Sequence, residues 1–429
     1  MKIAFVGCGF VFDIYMRTIG AHPELKVAGV FDINPDRMDR VSRHYGFRAY
    51  ANYEEILRDT EVTAIINLTN IGAHYEVSKR AIEAGKHVYS EKPLTTDAAQ
   101  SRKLFELAAV NGVRLYCAPC NIYSDSVRTL FDVVEQGGIG KPMLVYAELD
   151  DNPIHLMEFE TVRSPSGAPW PLDEEIYEGC TFEHVGYHLV WICGLLGPAV
   201  SVIAFSSELI EHKTLGLPAR VGTPDYSVAC LHFANGATAR ITCSVVAPRD
   251  HRMRVIGTEG EVISDSYRQY QSPVHLERYS KGSLTARKFQ TLRNNPFLGR
   301  LFGIGGKKLR LVRHWKSAAV ESDQQVRSSM RQRLIEWLRR REVYAQDKFL
   351  GIAEMAREIK SGAPAYLTPD FILHVNELTL LIQRAGTEGI ALRPTTSFAP
   401  IGPIPGGKST GRNYIGENRP RMFERLLFR

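Results

Sequence analysis

The first candidate functional residues are two glycines and an aspartate near the N-terminus. Gly7 and Gly9 follow a short apolar run and precede an amphipathic stretch, and Asp32 ends the next apolar run, 23 residues after Gly9. A glycine turn between a strand and a helix lets a pyrophosphate approach the helix N-terminus, and a carboxylate after the second strand accepts hydrogen bonds from the ribose hydroxyls of NAD. The spacing therefore predicts a dinucleotide site that prefers NAD to NADP. A plain strand-to-helix turn is the alternative, and Phe12, where Gly or Ala is usual, is expected to leave less room for the cofactor.

A second group combines a lysine with two histidines. The tripeptide Glu91-Lys92-Pro93 follows another apolar run, and ligands of open α/β sheets bind outside the carboxyl ends of the strands, so it is expected to face the nicotinamide. His184 and His188 are four residues apart, on one face of a predicted helix, and an imidazole suits a general base because its ordinary pKa of ~6.5 is close to working pH. A solvated Glu–Lys pair, two structural histidines and a pair of metal ligands are the alternatives. No third ligand is evident, so no metal site is predicted.

These residues need elements that position them, and the chain provides two different patterns. Short, β-branched runs alternate with amphipathic stretches up to residue 120, which predicts a doubly wound parallel sheet with strands at 2–6, 26–32, 62–68, 87–90 and 113–117. Longer strands follow, at 143–149, 200–205, 226–233, 237–246, 253–256 and 261–264, with helices at 181–196 and 343–361. The second half is therefore predicted to be an α+β domain (121–399) with an open, mostly antiparallel sheet, and residues 400–429 a poorly packed, extended tail.

The composition is typical of an ordinary soluble protein. The chain has 429 residues, 44% hydrophobic and 23% charged, and two domains are the natural expectation at this length. No apolar run reaches the ~18 residues of a membrane span, and the N-terminus lacks the pattern of a signal peptide. The seven cysteines lie mostly in apolar runs, which favours reduced thiols and a cytoplasmic location.

The net charge of +6 comes from one segment. Residues 278–341 contain 17 basic and three acidic residues, whereas the rest of the chain has 36 basic and 44 acidic residues. Such a run is most often a solvated face. It could also pair with acidic parts of an oligomer or lie on an anionic membrane surface, since each basic residue near that surface contributes ~1 kcal/mol. Nucleic-acid motifs are absent, so no nucleic acid partner is expected.

The run AGKHVYSEKPL at 84–94, together with the glycine turn, resembles the glucose–fructose oxidoreductase/inositol dehydrogenase/rhizopine-catabolism (Gfo/Idh/MocA) family. The resemblance covers residues 1–270 and 343–395, and it treats the basic segment as an insertion. It implies that Lys92 positions and polarises a substrate hydroxyl and that the Lys92-Pro93 bond is cis. It also implies that residues 67–70 and His74 line the cofactor and that Asn121 begins the second domain. The arginine that often follows is replaced here by Ile122-Tyr123.

The second catalytic element of that family has the pattern Asp-x-Gly-x-His-x-x-Asp, which matches the run EHVGYHLVW at 183–191 only in part. Gly186 and His188 match, whereas His184 replaces the first Asp and Trp191 replaces the last. The resemblance implies that His188 is the general base, and the loss of the Asp removes an anion that would stabilise the imidazolium.

Taken together, these residues predict an NAD-dependent oxidoreductase acting on a secondary hydroxyl of a sugar, polyol or sugar nucleotide, and the chain is expected to form a homo-oligomer. Two alternatives are an enzyme that keeps NAD bound and uses transient oxidation for elimination, epimerisation or glycoside cleavage, and a non-catalytic sensor. The expected catalytic residues are Lys92, His188 and His184. The expected cofactor contacts are Gly7, Gly9, Phe10, Val11, Asp32, Leu68, Thr69, Asn70, His74, Glu91, Lys92, Pro93 and Asn121. The expected substrate contacts are Lys92, Tyr123, Trp170, His184 and His188, where Trp170 would stack on a sugar ring.

Overall fold

The structure is a computed structural model that describes residues 1–213, 218–314, 346–406 and 414. Most of the second half of the basic segment (315–341) and the start of the helix expected at 343–361 lie outside these residues. No helix of the described part is both long enough and apolar enough to cross a membrane.

The first domain contains a parallel sheet of five strands in the order β2-β1-β3-β4-β5, which confirms the predicted doubly wound architecture. Its elements are β1 (Lys2–Val6), α1 (Phe10–Met16), β2 (Lys26–Phe31), α2 (Pro35–Tyr45), α3 (Tyr53–Arg58), β3 (Ala64–Asn67), α4 (His74–Glu83), β4 (His87–Ser90), α5 (Ala98–Val110) and β5 (Leu115–Cys117). The strands are buried because helices cover both faces. The strand order reverses between β1 and β3, so a crevice is expected at their carboxyl ends.

Helix α2 illustrates how local sequence fixes these elements. The Asn34 side chain accepts hydrogen bonds from the amides of Asp36 and Arg37, and Pro35 occupies the first helical position. Gly46 ends the helix in a left-handed conformation that glycine adopts without strain.

The second domain contains an eight-stranded sheet in the order β13-β12-β11-β10-β6-β9-β8-β7. Neighbouring strands are antiparallel except β6 and β9, so the predicted open, mostly antiparallel sheet is confirmed. The elements are α6 (Asp125–Glu135), β6 (Pro142–Asp150), α7 (Leu172–Leu196), β7 (Ala199–Ser207), β8 (Tyr226–Phe233), β9 (Thr238–Ser244), β10 (Met253–Gly257), β11 (Gly260–Ser264), β12 (Val274–Arg278), α8 (Lys281–Ala286), α9 (Gln290–Asn294), α10 (Pro296–Leu301), β13 (Lys307–Lys308), α11 (Phe349–Ser361) and α12 (Pro369–Glu388). Helices α7 and α12 pack against the sheet.

Several elements differ from the sequence prediction. Helix α7 begins at Leu172, nine residues before the predicted start, and α6, α8–α10, α12, β12 and β13 were not predicted. Helix α11 packs on the first domain, because Phe349, Ile352 and Met355 join the core that contains Phe5. The boundary placed at residue 120 therefore omits a C-terminal segment that completes the first domain.

The described part of the predicted tail packs against the second domain. The guanidinium Nη1 of Arg128 donates to the carbonyls of Ile404 (3.1 Å) and Pro405 (2.5 Å). Tyr414 is fully buried, and its hydroxyl donates to Asp132 at 2.7 Å. The expectation of a poorly packed tail is wrong for these residues.

Candidate functional site

The glycine turn between β1 and α1 forms one end of a large cleft. Gly7 has φ +102°, and a Cβ there would lie 2.4 Å from the carbonyl oxygen of Leu68, so the close approach of the loop after β3 requires this glycine. Gly9 caps α1 and has open space where a Cβ would be, while Phe10 and Val11 line the cleft. The first amides of α1 have no acceptor within the helix, so they can bind an anion.

Phe12 does not reach this opening. Its side chain is fully buried and makes an edge contact with Phe5, with ring centroids 5.0 Å apart, and a similar contact with Tyr45. The expectation that Phe12 reduces the room for a cofactor is therefore corrected, because the ring fills the core behind α1.

Asp32 is held rigidly at the end of β2. One carboxylate oxygen accepts from the Cys8 amide at 2.7 Å and the other from the Asn34 amide at 2.7 Å. Each oxygen keeps a further lone pair for a ribose hydroxyl. The open Gly9 cap and the fixed carboxylate together fit a dinucleotide that runs from β2 across α1.

The loop after β3 continues the same wall. Leu68, Thr69, Asn70 and His74 line the cleft. The ring nitrogens of His74 lie 2.8 Å from the carbonyl oxygen of Pro93 and 3.0 Å from that of Thr69, so His74 joins this loop to the Glu91-Lys92-Pro93 loop. Pro93 itself does not line the cleft.

Lys92 lies at the far end of the wall, where its peptide bond to Pro93 is cis. Its ammonium group donates to the Glu183 carbonyl at 2.7 Å and to the Glu183 carboxylate, and one of its three N–H groups remains for another acceptor. Burial alone would lower the pKa of Lys92, but the charge of Glu183, with Tyr187 and Glu91, raises it above its usual value. Lys92 is therefore a hydrogen-bond donor and not a base.

Glu91 is held by a second lysine that the sequence did not reveal. Lys348, just before α11, donates to Glu91 Oε1 at 3.0 Å, and the Tyr15 hydroxyl donates to the same oxygen at 2.9 Å. Burial opposes ionisation of Glu91, but Lys348 and Lys92 outweigh burial and lower its pKa to about 2. Lys348 also lines the cleft, so two ammonium groups flank Glu91.

His184 and Glu175 both line the cleft and contact each other. Nε2 of His184 lies 3.0 Å from Glu175 Oε1, and its Nδ1 is buried without a hydrogen-bond partner among the described residues. Gly179, at φ +80°, interrupts α7 between these two residues, which lets the segment carrying Glu175 turn toward His184. Burial would raise the pKa of Glu175, but His184 lowers it, so the pair resembles a base with its orienting anion.

His188 lies one turn further along α7 and does not line the cleft. Trp191 donates its indole N–H to His188 Nδ1 at 2.9 Å, and His188 Nε2 lies 2.9 Å from the carbonyl oxygen of Glu148. Because an indole nitrogen only donates, the ring is neutral and both nitrogens are occupied. Burial lowers the pKa of His188 to about 3. This geometry does not fit the role of general base, and we correct that assignment.

Two other predicted contacts also lie elsewhere. Tyr123 is buried beside Tyr366 and is not part of the cleft wall. Asn121 is fully buried and donates to the carbonyl of Tyr187 at 2.7 Å, so it fixes α7 and does not face the cleft. Trp170 does line the cleft, stacked on Phe159 with ring centroids 4.3 Å apart.

The whole cleft has a volume of about 760 Å³, within the ~300–1,000 Å³ range of small-molecule sites. Sequence reasoning missed Tyr187, Glu183, Arg268 and Lys348, all on its wall, although Tyr187 and Glu183 flank the singled-out His184 closely in sequence. Arg268 pairs with Asp151 at 2.9 Å.

Within the described ranges, no cluster of three His, Cys, Asp or Glu side chains is arranged to hold a metal.

A segment between β6 and α7, residues 154–170, crosses over this cleft, and we call it the strap. Its Ser164 and Ser166 hydroxyls donate to the buried carboxylate of Asp13 on α1, at 2.7 Å and 2.6 Å. The Tyr45 hydroxyl donates to the same carboxylate at 2.6 Å. The strap is thereby fastened to the helix that begins at the glycine turn.

Comparison with known proteins gives matches over most of the chain. The model of an oxidoreductase family with an NAD-binding Rossmann fold matches residues 1–118, and the GFO/IDH/MocA C-terminal domain matches residues 127–263. Myo-inositol 2-dehydrogenase of Thermotoga maritima is 25% identical over 287 residues, which are 66% of this chain and 80% of that protein.

Two solved structures share the fold. The WlbA dehydrogenase of Bordetella pertussis, in complex with NADH and UDP-GlcNAcA, has a TM-score of 0.64 at 16% identity and covers 92% of this chain and 97% of its own. A lysine variant of KijD10, a 3-ketoreductase of Actinomadura kijaniata in complex with TDP-benzene and NADP, has a TM-score of 0.62 at 19% identity. The match covers 90% of this chain and 97% of that structure.

Proposed function

The chain belongs to the Gfo/Idh/MocA family of oxidoreductases, as its sequence resemblance implied, and we propose that it transfers a hydride between a secondary hydroxyl of a sugar, polyol or sugar nucleotide and a nicotinamide. The observation that carries the proposal is the meeting of Lys92 and His184 on one cleft wall, next to the crevice of the first sheet. A relative named for inositol and a structural neighbour in complex with UDP-GlcNAcA support the substrate class.

We propose NAD in preference to NADP. The Asp32 carboxylate accepts hydrogen bonds from ribose hydroxyls and repels a 2′-phosphate. Its two backbone donors, Cys8 and Asn34, hold it in place, so it cannot easily turn away from a phosphate. When bound, the nicotinamide supplies the acceptor or donor of the hydride.

His184 takes the role of general base in place of His188. With Nε2–H donated to Glu175, Nδ1 is the ring nitrogen without a partner among the described residues; it is buried, so the side chain must turn toward the cleft before Nδ1 can accept the proton of a substrate hydroxyl. The imidazolium that forms is then stabilised by the Glu175 carboxylate. Lys92 donates its remaining N–H to the same substrate oxygen and limits the negative charge that develops there as the proton leaves.

The test uses the full chain with NAD and a panel of sugars, polyols and nucleotide sugars, with NADH formation as the readout. Lys92→Met and His184→Asn are each expected to lower kcat/KM by ~100-fold or more, as for loss of a positioned donor or base. His188→Asn is the matched control on the same helix and should keep its turnover once the folded fraction is taken into account. Absence of NAD and NADP binding by calorimetry would overturn the proposal, and equal losses for the two histidine variants would overturn the choice of base.

A second candidate function is suggested by the strap. Because residues 154–170 cross the cleft and are fastened to α1 at Asp13, a bound dinucleotide would leave slowly. An enzyme that oxidises its substrate transiently and then reduces it again needs such retention. Mass spectrometry of the purified protein for co-purified NAD, and of products formed without added NAD, separates this cycle from net dehydrogenation. Binding without any turnover would favour a sensor.

We also propose that the chain self-associates through the exposed side of its second sheet. Val200, Ile203 and Phe205 of the edge strand β7 are all exposed, and large apolar side chains together on a surface often mark an interface. Phe205→Asp should convert the oligomer to a monomer in light scattering, and a wild-type monomer would refute the idea.

All seven cysteines are free thiols, which is consistent with the proposed cytoplasmic location.

A further inference from the structure

The described part of the basic segment forms a defined surface at the β13 edge of the second sheet, and we call residues 281–313 the basic surface. It contains nine basic residues and no acidic residue. Eight of the nine are exposed, namely Lys281, Lys288, Arg293, Arg300, Lys307, Lys308, Arg310 and Arg313. The ninth, Arg287, folds inward and pairs with the buried carboxylates of Glu277 (2.6 Å) and Glu261 (3.1 Å).

That inward pairing makes the surface a fixed part of the fold. The Gly305 amide also donates to Glu277 at 2.8 Å, and β13 pairs with β12. The inner sides of α8 and α10 bury small residues such as Ala286 and Gly299. The side chains that point outward are therefore presented by an anchored platform.

Large apolar side chains lie among these outward basic groups. Phe297 is 73% exposed, Phe289 58%, Leu284 48% and Leu301 38%. Leu284 lies three residues from Lys281 within α8, and Phe297 lies three residues from Arg300 within α10, which is the spacing of about one helical turn. Exposed Phe and Leu have no stabilising role in water, so their grouping within 18 residues calls for a partner.

We propose that the basic surface docks the protein on the headgroup layer of an anionic phospholipid bilayer. Basic side chains around Phe and Leu match the two parts of a membrane interface, since the charges meet anionic headgroups while the apolar side chains enter the acyl boundary. Aliphatic Leu284 and Leu301 do not stack on bases, and short helices offer no groove for a nucleic acid strand. The partner chemistry is therefore lipid, with contact at the surface.

The test is flotation of the full chain with vesicles of phosphatidylcholine alone or mixed with phosphatidylserine, at low and high salt. Binding is expected only to the mixed vesicles and should decline at high salt, because salt screens exposed charges. One basic residue near the surface contributes ~1 kcal/mol, a factor of about five in binding. Joint replacement of Lys288, Arg293, Lys308 and Arg310 by Gln should thus weaken binding by roughly a hundredfold or more.

Two further variants make the result specific. Replacing Lys26, Arg43, Arg102 and Lys103 by Gln removes the same charge from exposed positions of the first domain, and this control should still float. Phe289→Ala with Phe297→Ala should weaken binding while leaving its salt dependence intact. Dehydrogenase activity and the thermal midpoint verify that each variant is folded. The proposal is overturned by absence of flotation at low salt, by equal losses in the two quadruple variants, or by binding of RNA or of a second copy in place of vesicles.

Discussion

Replacement of Lys348 by methionine tests the ion pair that supports the Glu91-Lys92-Pro93 loop. Lys348 and Glu91 are both almost fully buried, and the ammonium nitrogen lies 3.0 Å from the carboxylate. Methionine has a similar length and fills the same space, so the change removes a charge with little change in packing. The Tyr15 hydroxyl and the Lys92 amide remain as neutral donors to Glu91.

The magnitude follows from the pKa of Glu91. Its ordinary value of 4.5 is lowered to about 2 in the folded protein although burial works in the opposite direction, and Lys348 is the largest of the opposing charges. One pKa unit corresponds to ~1.4 kcal/mol, so the environment favours the carboxylate by ~3 kcal/mol. Without Lys348, burial is offset only by the charge of Lys92 and the two neutral donors, and Glu91 is left as a poorly compensated charge, which typically costs ~3–5 kcal/mol. We expect a loss of ~3 kcal/mol in the free energy of unfolding near neutral pH.

The loss should depend on pH with a definite sign. In the wild type, the lowered pKa gives stability that is present above 4.5 and declines as the pH falls toward about 2. In Lys348→Met the pKa of Glu91 rises, so the folded variant takes up a proton at mildly acidic pH and avoids part of the penalty. The stability difference between wild type and variant should therefore shrink as the pH is lowered from neutral to acidic values.

The assay is urea unfolding over this pH range for Lys348→Met, Glu91→Gln and the double variant. Lys360→Met, at an exposed lysine on α11, is the matched control and should change stability by less than ~0.5 kcal/mol. The double variant should be more stable than Lys348→Met, because no charge is left buried alone. A loss below ~1 kcal/mol for Lys348→Met, or a loss independent of pH, would refute the reasoning.

Three other changes test the remaining contacts. Trp191→Phe leaves the Nδ1 of His188 without its donor and should lower the free energy of unfolding by ~1–3 kcal/mol, with turnover per folded molecule unchanged. Gly7→Ala places a methyl group against the loop after β3 at a positive φ, so both stability, by ~1–3 kcal/mol, and dinucleotide affinity by calorimetry should fall. Asp13→Ala releases the strap, and because one hydrogen bond to a charged group contributes ~1.5–3 kcal/mol, NADH release in stopped flow should accelerate at least about tenfold. An unchanged release rate would show that the strap does not retain the cofactor.

The parts of the site that the sequence predicted are those fixed by neighbours along the chain. The turn at Gly7, the end of β2 at Asp32 and the loop at Lys92 each follow a short buried strand, and the parallel sheet then aligns the carboxyl ends of those strands. Their types and positions could be predicted because each is fixed mainly by the strand that it follows.

The parts that the sequence could not predict depend on contacts over long separations. Lys348 reaches Glu91 across 257 residues, and only the packing of α11 on the first domain brings them together. His184 and His188 look equivalent in sequence because they share a helix face. One helical turn apart, however, His184 lines the cleft, whereas His188 is buried between α7 and β6. The burial of a helix residue depends on which other elements pack over it. The periodicity of the sequence predicts the helix face on which a residue lies, but not those elements.

The two departures from the family pattern on α7 explain each other. Trp191, in place of the last Asp, donates to His188 and occupies the lone pair that a base would need. Both nitrogens of His188 are therefore occupied. The first Asp position holds His184, one turn closer to the cleft, and Glu175, on the other side of the interruption at Gly179, is the carboxylate in contact with it. Under the proposed function, a base and its carboxylate would then both be present, displaced by one helical turn. The comparison of His184→Asn with His188→Asn described above decides between such a relocated base and a binding protein that has lost its activity.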